Sequence, residues 1–366
     1  MKTLLIFISV FCLFLLSSLL SDLSAQIRFR SGMFFHHSTG GCIWGPNGSN
    51  TSVPQEMTRY NTQHGYSGQN AVTMNETWFP VNYDNEWVTW HNIFETNTPE
   101  NISAYFGSNK IIMVKSCFPS SALEEWGQPS DTLSPDYKTV YNYKWHWRHI
   151  ITVMKNRYQN FFVIWTNAPL TPAETNQNAA MLSKQFCKWA KDTLARGLDP
   201  VFGAFPNNVY VFDFFSKLTD ANGYMLLQYA QGPHDPHPNA AATALVAPQL
   251  VNEVFDHSIA YEQLYGIKKL NENIPENYKL YQNYPNPFNP ETKIRFSIPH
   301  DNRGSNEVLL TVYDIQGREV TILAKGTLKA GTYEVEWNAE NNSTGVYFYK
   351  LLTGNFTDVK KMILAK

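Results

Sequence analysis

A serine, a threonine and two glycines close the run Phe34-Phe35-His36-His37-Ser38-Thr39-Gly40-Gly41. A serine hydroxyl is a weak nucleophile until a positioned imidazole takes its proton. That imidazole needs an acceptor on its other nitrogen to fix its tautomer. Far downstream, His234-Asp235-Pro236-His237-Pro238-Asn239 offers both partners, His237 as general base and Asp235 as the orienting acid. Pro236 restrains the backbone between the two, so the alternative is a Ser/His dyad oriented by a backbone carbonyl. The glycines after the serine let backbone N–H groups approach a bound carbonyl. The same letters also suit a plain Ser/Thr/Gly turn at a strand end. The catalytic reading rests on the two stretches together.

Groups so far apart in sequence converge only if something rigid delivers them to one place. Phe34-Phe35, Ile111–Val114, Phe161–Trp165 and Val209–Phe212 are short apolar runs, as expected of strands buried on both faces. Helical stretches alternate with them, from Tyr143 to Tyr158, from Thr171 to Arg196 and from about Ala240 to Phe255. Pro172 and Glu174 mark the start of the second stretch and Gly197 its end. This alternation predicts an α/β domain with a parallel sheet covered by helices, whose chemistry collects at the carboxyl ends of the strands. Those ends carry Ser38, Lys115-Ser116-Cys117, Thr166-Asn167 and Asp213. The backbone N–H groups of Ser38 and Ser116 and the Asn167 amide are the expected oxyanion donors. Lys115 either holds an anionic substrate or is solvated at the rim.

These blocks resemble the SGNH (GDSL-like) hydrolases over Ile27 to about Ile267, within a domain drawn at 27–270. That family has a nucleophilic Ser after its first strand, a Gly-type turn after a second, an Asn after a third and an Asp-x-x-His near the end. Ser38 matches the nucleophile, Ser116 the second block, Asn167 the third and His237 the base. The sequence departs from the pattern at His37, before the nucleophile, and at His234, where the family has Asp. The resemblance implies a three-layer, flavodoxin-like sheet with helices on both faces. It also implies a cofactor-free carboxylester hydrolase, a deacylase or acetylesterase acting on an ester or acylated glycan. A non-catalytic glycan-binding or adhesive surface protein on the same scaffold is the alternative, favoured by the missing Asp.

His36, His37, His234 and His237 raise a metal site as a rival, since His-x-x-His pairs can share a ligand face. The His-Pro-Asn context suits a helix start better than a rigid ligand pair, so no metal is expected. His146 and His149, one helical turn apart, read as packing residues. With 366 residues and a net charge of -2, the chain shows no bulk attraction for nucleic acid or an anionic membrane. Aromatic residues make up 14% of the chain, enough to serve both a core and sugar-stacking surfaces.

Residues 1–26 read as a secretory signal, with Lys2, an apolar core from Leu4 to Leu20 and the small-residue site Leu23-Ser24-Ala25. A retained anchor is the alternative; no second apolar run of spanning length follows. Cys12 leaves with the signal, and Cys42, Cys117 and Cys187 form one disulfide plus a free thiol, or none. Residues 271–283 read as a polar linker and the start of a further domain at 284–366. Short alternating segments there (Thr292–Ile298, Glu307–Tyr313, Thr332–Trp337, Val346–Leu352) with glycine turns predict an all-β, immunoglobulin-like sandwich. Tyr284-Pro285-Asn286-Pro287-Phe288-Asn289-Pro290, Val312–Gly317, Ala330–Tyr333, Gly345–Tyr347 and Lys360-Lys361 resemble the type IX secretion C-terminal sorting domain of Bacteroidetes-type bacteria. A sugar-binding sandwich is the physical alternative. The resemblance implies passage through the periplasm to the cell surface or medium, with the type IX machinery as partner.

Overall fold

The computed structural model describes residues 28–48, 51–79, 86–95, 102–271, 273–300, 306–340 and 342–366. The signal expected at 1–26 lies outside them. The chain divides into two units, Arg28–Glu262 and Gln263–Lys366.

In the first unit the strands are β1 (Ser31–His36), β2 (Thr73–Trp78), β3 (Ile111–Val114), β4 (Phe161–Trp165) and β5 (Val209–Phe212). They form one parallel sheet in the order β2-β1-β3-β4-β5. The apolar runs account for all of these except β2, an edge strand whose mixed residues Thr-Met-Asn-Glu-Thr-Trp are mostly exposed. Register aligns Thr77, Phe35, Val114, Ile164 and Val211 in one row across the sheet. The residues following β1, β3, β4 and β5 therefore emerge along one edge. The chain runs from β1 to β2 on one side and then crosses to β3 on the other side of β1, which opens a crevice at the carboxyl ends of β1 and β3, the usual ligand position in open parallel sheets.

Side chains alternate between the two faces of the strands. Phe35, Val114, Ile164 and Val211 pack with Trp90 of α3 (Glu86–Phe94), Trp147 and Ile151 of α4 (Val140–Asn156) and Phe186 of α5 (Gln177–Trp189). On the opposite face Phe34 stacks on Trp165 and meets Trp44 of α1 (Ser38–Trp44). There Tyr60 of α2 (Val53–His64) meets Phe255, and Phe161 meets Tyr261, both of α7 (Ala240–Leu264). A short helix, α6 (Phe214–Leu218), follows β5, and α7 is preceded by a hairpin of β6 (Ala230–Gly232) and β7 (Asp235–Pro238).

Helix boundaries differ from the sequence reading: α4 begins three residues before Tyr143 and ends at Asn156, and α5 ends at Trp189 rather than near Arg196. α5 begins after Asn176, whose side chain accepts from Ala179 N–H at 3.0 Å, so Pro172 and Glu174 lie in the preceding turn. α7 runs past Phe255 to Leu264 and tolerates Pro248 inside it.

The named strands of the second unit pair antiparallel. One sheet orders β8 (Lys268–Asn271), β13 (Gly331–Asn338), β10 (Glu291–Ile298) and β9 (Lys279–Leu280), and the other β12 (Glu319–Leu328), β11 (Asn306–Asp314), β14 (Gly345–Thr353) and β15 (Phe356–Leu364). Phe296, Val335, Leu310 and Tyr349 fill a core between them. The division falls before the boundary expected at 270, because Lys268 and Lys269 pair with β13. The expected linker likewise contributes β9. Lys360 and Lys361 sit in β15, opposite Tyr349 and Phe348.

Candidate active site

Ser38 is the first residue of α1, half-buried, directly after the extended His37 that caps the helix. The first N–H groups of a helix have no intrahelical partner, so this turn presents donors beside the hydroxyl. Gly40 is required here for a reason the sequence reading did not contain. A Cβ at Gly40 would lie 2.4 Å from His36 Cβ and 2.5 Å from its Cγ, so glycine is what lets the helix turn over the His36 ring. His36 itself is buried, with Nε2 2.9 Å from Glu76 Oε2 and Nδ1 2.9 Å from His37 O. Burial holds its pKa below the ordinary histidine value.

His237 belongs to strand β7 of the hairpin. Its Nδ1 lies 2.6 Å from Asp235 Oδ1, and the same oxygen accepts the His237 backbone N–H at 3.1 Å. These bonds lower the Asp235 pKa, the imidazole contact being the larger cause. Pro236 therefore does not prevent the contact; it folds the carboxylate back onto the ring two residues on. Asn239 anchors the hairpin to α7, accepting from Ala241 and Ala242 N–H and donating to Ala230 O at 2.8 Å.

The hairpin packs against α1. Asn47 donates to Pro238 O, and Thr243 Oγ1 donates to Cys42 O at 2.8 Å. Ser38 Oγ lies 3.5 Å from Cys117 Sγ, and the neighbouring Phe118 ring meets the His237 ring edge-on with centroids 4.9 Å apart. Ser38 and His237 thus share one neighbourhood through Cys117 and Phe118. Among the described residues no hydrogen bond joins them directly, and catalytic hydrogen bonds are often long before substrate binds.

The other expected donors divide. Ser116 follows β3, is fully buried, and its hydroxyl has no partner among the described residues. Asn167 is turned away from an oxyanion role. It is fully buried, its Oδ1 accepts from Trp87 Nε1 at 3.2 Å, and its Nδ2 donates to Ser183 Oγ at 3.0 Å. Its amide ties β4 to α3 and α5. Lys115 is neither a rim residue nor open to substrate. It is 1% exposed, and its Nζ donates to Thr39 Oγ1 and Ser116 O. Asp213 caps α6 and pairs with Lys191 at 2.8 Å.

The four histidines of the metal alternative do not come together. His36 meets Glu76, His37 lies under the exposed Trp78, His234 pairs with Glu174 at 3.1 Å, and His237 meets Asp235. Among the described residues no cluster of His, Cys, Asp and Glu is arranged to hold a metal ion. Cys42, Cys117 and Cys187 are free thiols. A cavity of about 230 Å³ between α5 and the residues after β5, lined by Lys184, Lys188, Lys191 and Asp213, contains neither Ser38 nor His237.

Sequence reasoning missed Thr39 and Cys117 as neighbours of Ser38. The available signal was a lysine directly after an all-apolar strand, where a solvated rim residue is no more expected than a buried one. It also missed Trp78, which ends the edge strand opposite His36 with its indole 5.1 Å from the His37 ring.

No curated protein matches the chain. Solved structures similar to parts of it include an engineered protein at 13% identity, covering 89% of this chain and 61% of its own, with a TM-score of 0.20. The chain thus spans less than two thirds of that protein. An endo-beta-1,4-mannanase from Thermotoga petrophila matches at 11% identity, 85% and 69% coverage and a TM-score of 0.19. Phospholipase PlaB from Legionella pneumophila, in complex with thio-NAD, matches at 10% identity, 92% and 90% coverage and a TM-score of 0.24. No helix among the described residues is long and apolar enough to cross a membrane. Residues 282–365 match the family model of the secretion system C-terminal sorting domain, so this part of the chain is a type IX sorting domain, which indicates export to the cell surface or beyond.

Proposed function

We propose that the first unit is a serine ester hydrolase of the SGNH type, with a flavodoxin-like sheet, in which Ser38 is the nucleophile, His237 the base and Asp235 the orienting acid. The observation that carries this is the His237 Nδ1 to Asp235 Oδ1 contact of 2.6 Å on a hairpin packed against the helix that Ser38 begins. With Nδ1–H given to Asp235, the lone pair on Nε2 is left to take the Ser38 proton. As the Oγ–carbon bond forms, the carbonyl oxygen becomes an anion facing the N–H groups of Ser38 and Ser116. Collapse breaks the ester C–O bond, and the proton on His237 passes to the departing alcohol. Water then repeats the sequence on the acyl-enzyme and releases the acid.

The exposed indole of Trp78 beside this turn supports an acylated glycan as substrate, because a sugar ring can stack on it while its ester reaches Ser38. The type IX domain supports the same reading, with a periplasmic step on the way out and the substrate outside the cell. The second reading is a glycan-binding or adhesive protein without catalysis, favoured by the engaged Asn167 amide and by Ser38 contacting Cys117. Release of 4-nitrophenol from 4-nitrophenyl acetate by the full chain tests the choice. The hydrolase reading expects turnover that Ser38→Ala abolishes; activity unchanged in that variant rejects Ser38.

A further inference from the structure

The informative oddity of the site is a buried polar group. Lys115 is 1% exposed, and among the described residues no carboxylate pairs with it. Removing an ammonium from water without a counter-ion is unfavourable. Lys115 follows β3 directly, at the crevice between β1 and β3. Its backbone is pinned there, since Lys115 O accepts from Trp90 Nε1 at 3.1 Å.

Resting on the hydrolase reading, we infer that Lys115 is a positioning residue for Ser38, acting through Thr39 and Cys117. A lysine side chain at the ammonium stage donates and never accepts. Its bond to Thr39 Oγ1 therefore makes that oxygen an acceptor and leaves the Thr39 hydroxyl hydrogen to point towards Cys117. The Thr39 hydroxyl accepts from Lys115, and its own hydrogen is left for Cys117 Sγ, 3.5 Å away. Cys117 Sγ is in turn 3.5 Å from Ser38 Oγ, a contact in which either atom can donate and in which the inference makes the thiol the donor. Ser38 then accepts from the inside of the protein, and its own proton points outward, where the base must collect it. The second bond of Lys115, to Ser116 O, fixes the turn whose N–H faces the oxyanion. A buried positive charge beneath the turn also favours the negative charge that develops above it.

The experiment uses the full chain and a fluorophosphonate probe, which reports attack by Ser38 without assuming any natural substrate. Second-order labelling rates are measured for the parent, Lys115→Met, Thr39→Val, Cys117→Ala, Cys117→Ser and the double variant Lys115→Met/Thr39→Val. Near-ultraviolet circular dichroism checks the fold of each. The expected result is a loss of about tenfold or more in Lys115→Met and in Thr39→Val. The double variant is expected to be no slower than the worse single, because the groups act in line. Cys117→Ser should restore most of what Cys117→Ala loses, a rescue that a purely packing role would not give. With 4-nitrophenyl acetate the loss should fall on kcat and leave KM unchanged. Should Lys115→Met fail to fold, Thr39→Val and the two Cys117 variants decide the matter. Folded variants that label at the parental rate, or additive losses in the double, overturn the role of Lys115 while leaving Ser38 as nucleophile. A parent that takes no label removes the hydrolase reading, and this inference with it.

Discussion

At the scale of single residues the account stands on Asp235, which occupies a place in the sequence where the spacing is irregular. The carboxylate reaches Nδ1 of His237 because a short hairpin strand, and not a helix start, carries both. If Asp235 orients the base, Asp235→Asn should lower kcat on 4-nitrophenyl acetate by about 10³ to 10⁴, in line with loss of a triad acid. His237→Ala should cost at least as much. Loss in His237→Ala alone would mean a dyad with some other orienting group, and loss in neither would move the base elsewhere. The bonds to His237 lower the Asp235 pKa, so its orienting contribution is present above the ordinary carboxylate range and disappears only as pH falls below it.

Secondary-structure elements set a different sensitivity, at the junction of α3 and α4. His146 Nε2 donates to Pro135 O at 2.9 Å, and its Nδ1 lies 2.8 Å from His91 Nδ1. Burial holds the His146 pKa down at about 3, and burial also lowers that of His91 despite Glu95 nearby. His149 stacks on His91 from α4 and opposes a second charge there. Unfolded histidine titrates near 6.5, so between about 6.5 and 3 the unfolded chain binds a proton that folded His146 refuses. Stability is therefore full above about pH 6.5 and falls on acidification, by up to about 1.4 kcal/mol per pH unit for this group. Chemical denaturation of the parent and His146→Gln from pH 7 to 5 should show the flatter dependence in the variant; parallel curves would contradict the assignment. The strands were readable in the sequence for a similar reason of burial. A strand covered on both faces must be apolar throughout, and Ile111–Val114 or Phe161–Trp165 has no other reading at that length. β2 escaped because one edge of it faces solvent, and α5 because Asn176, not Pro172, satisfies its first N–H groups. The proposed roles of Ser38, His237 and Asp235 could be framed from the sequence because chemistry restricts the residue type. Lys115, Thr39 and the turned Asn167 amide could not, since burial and side-chain direction are properties of packing.

For the whole molecule, division between Glu262 and Gln263 makes export and the proposed chemistry separable. Arg28–Glu262 has its own sheet and its own cores on both faces. A chain ending at Glu262 should fold, show the parental near-ultraviolet spectrum and retain esterase activity, yet fail to reach the cell surface. Loss of fold on truncation would show that the sandwich completes the first unit. The central claim, that Ser38 is an activated nucleophile, is tested most directly by mapping the covalent adduct of a fluorophosphonate probe on the full chain by tandem mass spectrometry. The account predicts a single adduct on Ser38, absent from Ser38→Ala and strongly slowed in His237→Ala. An unlabelled chain, or an adduct on any other residue, would contradict it.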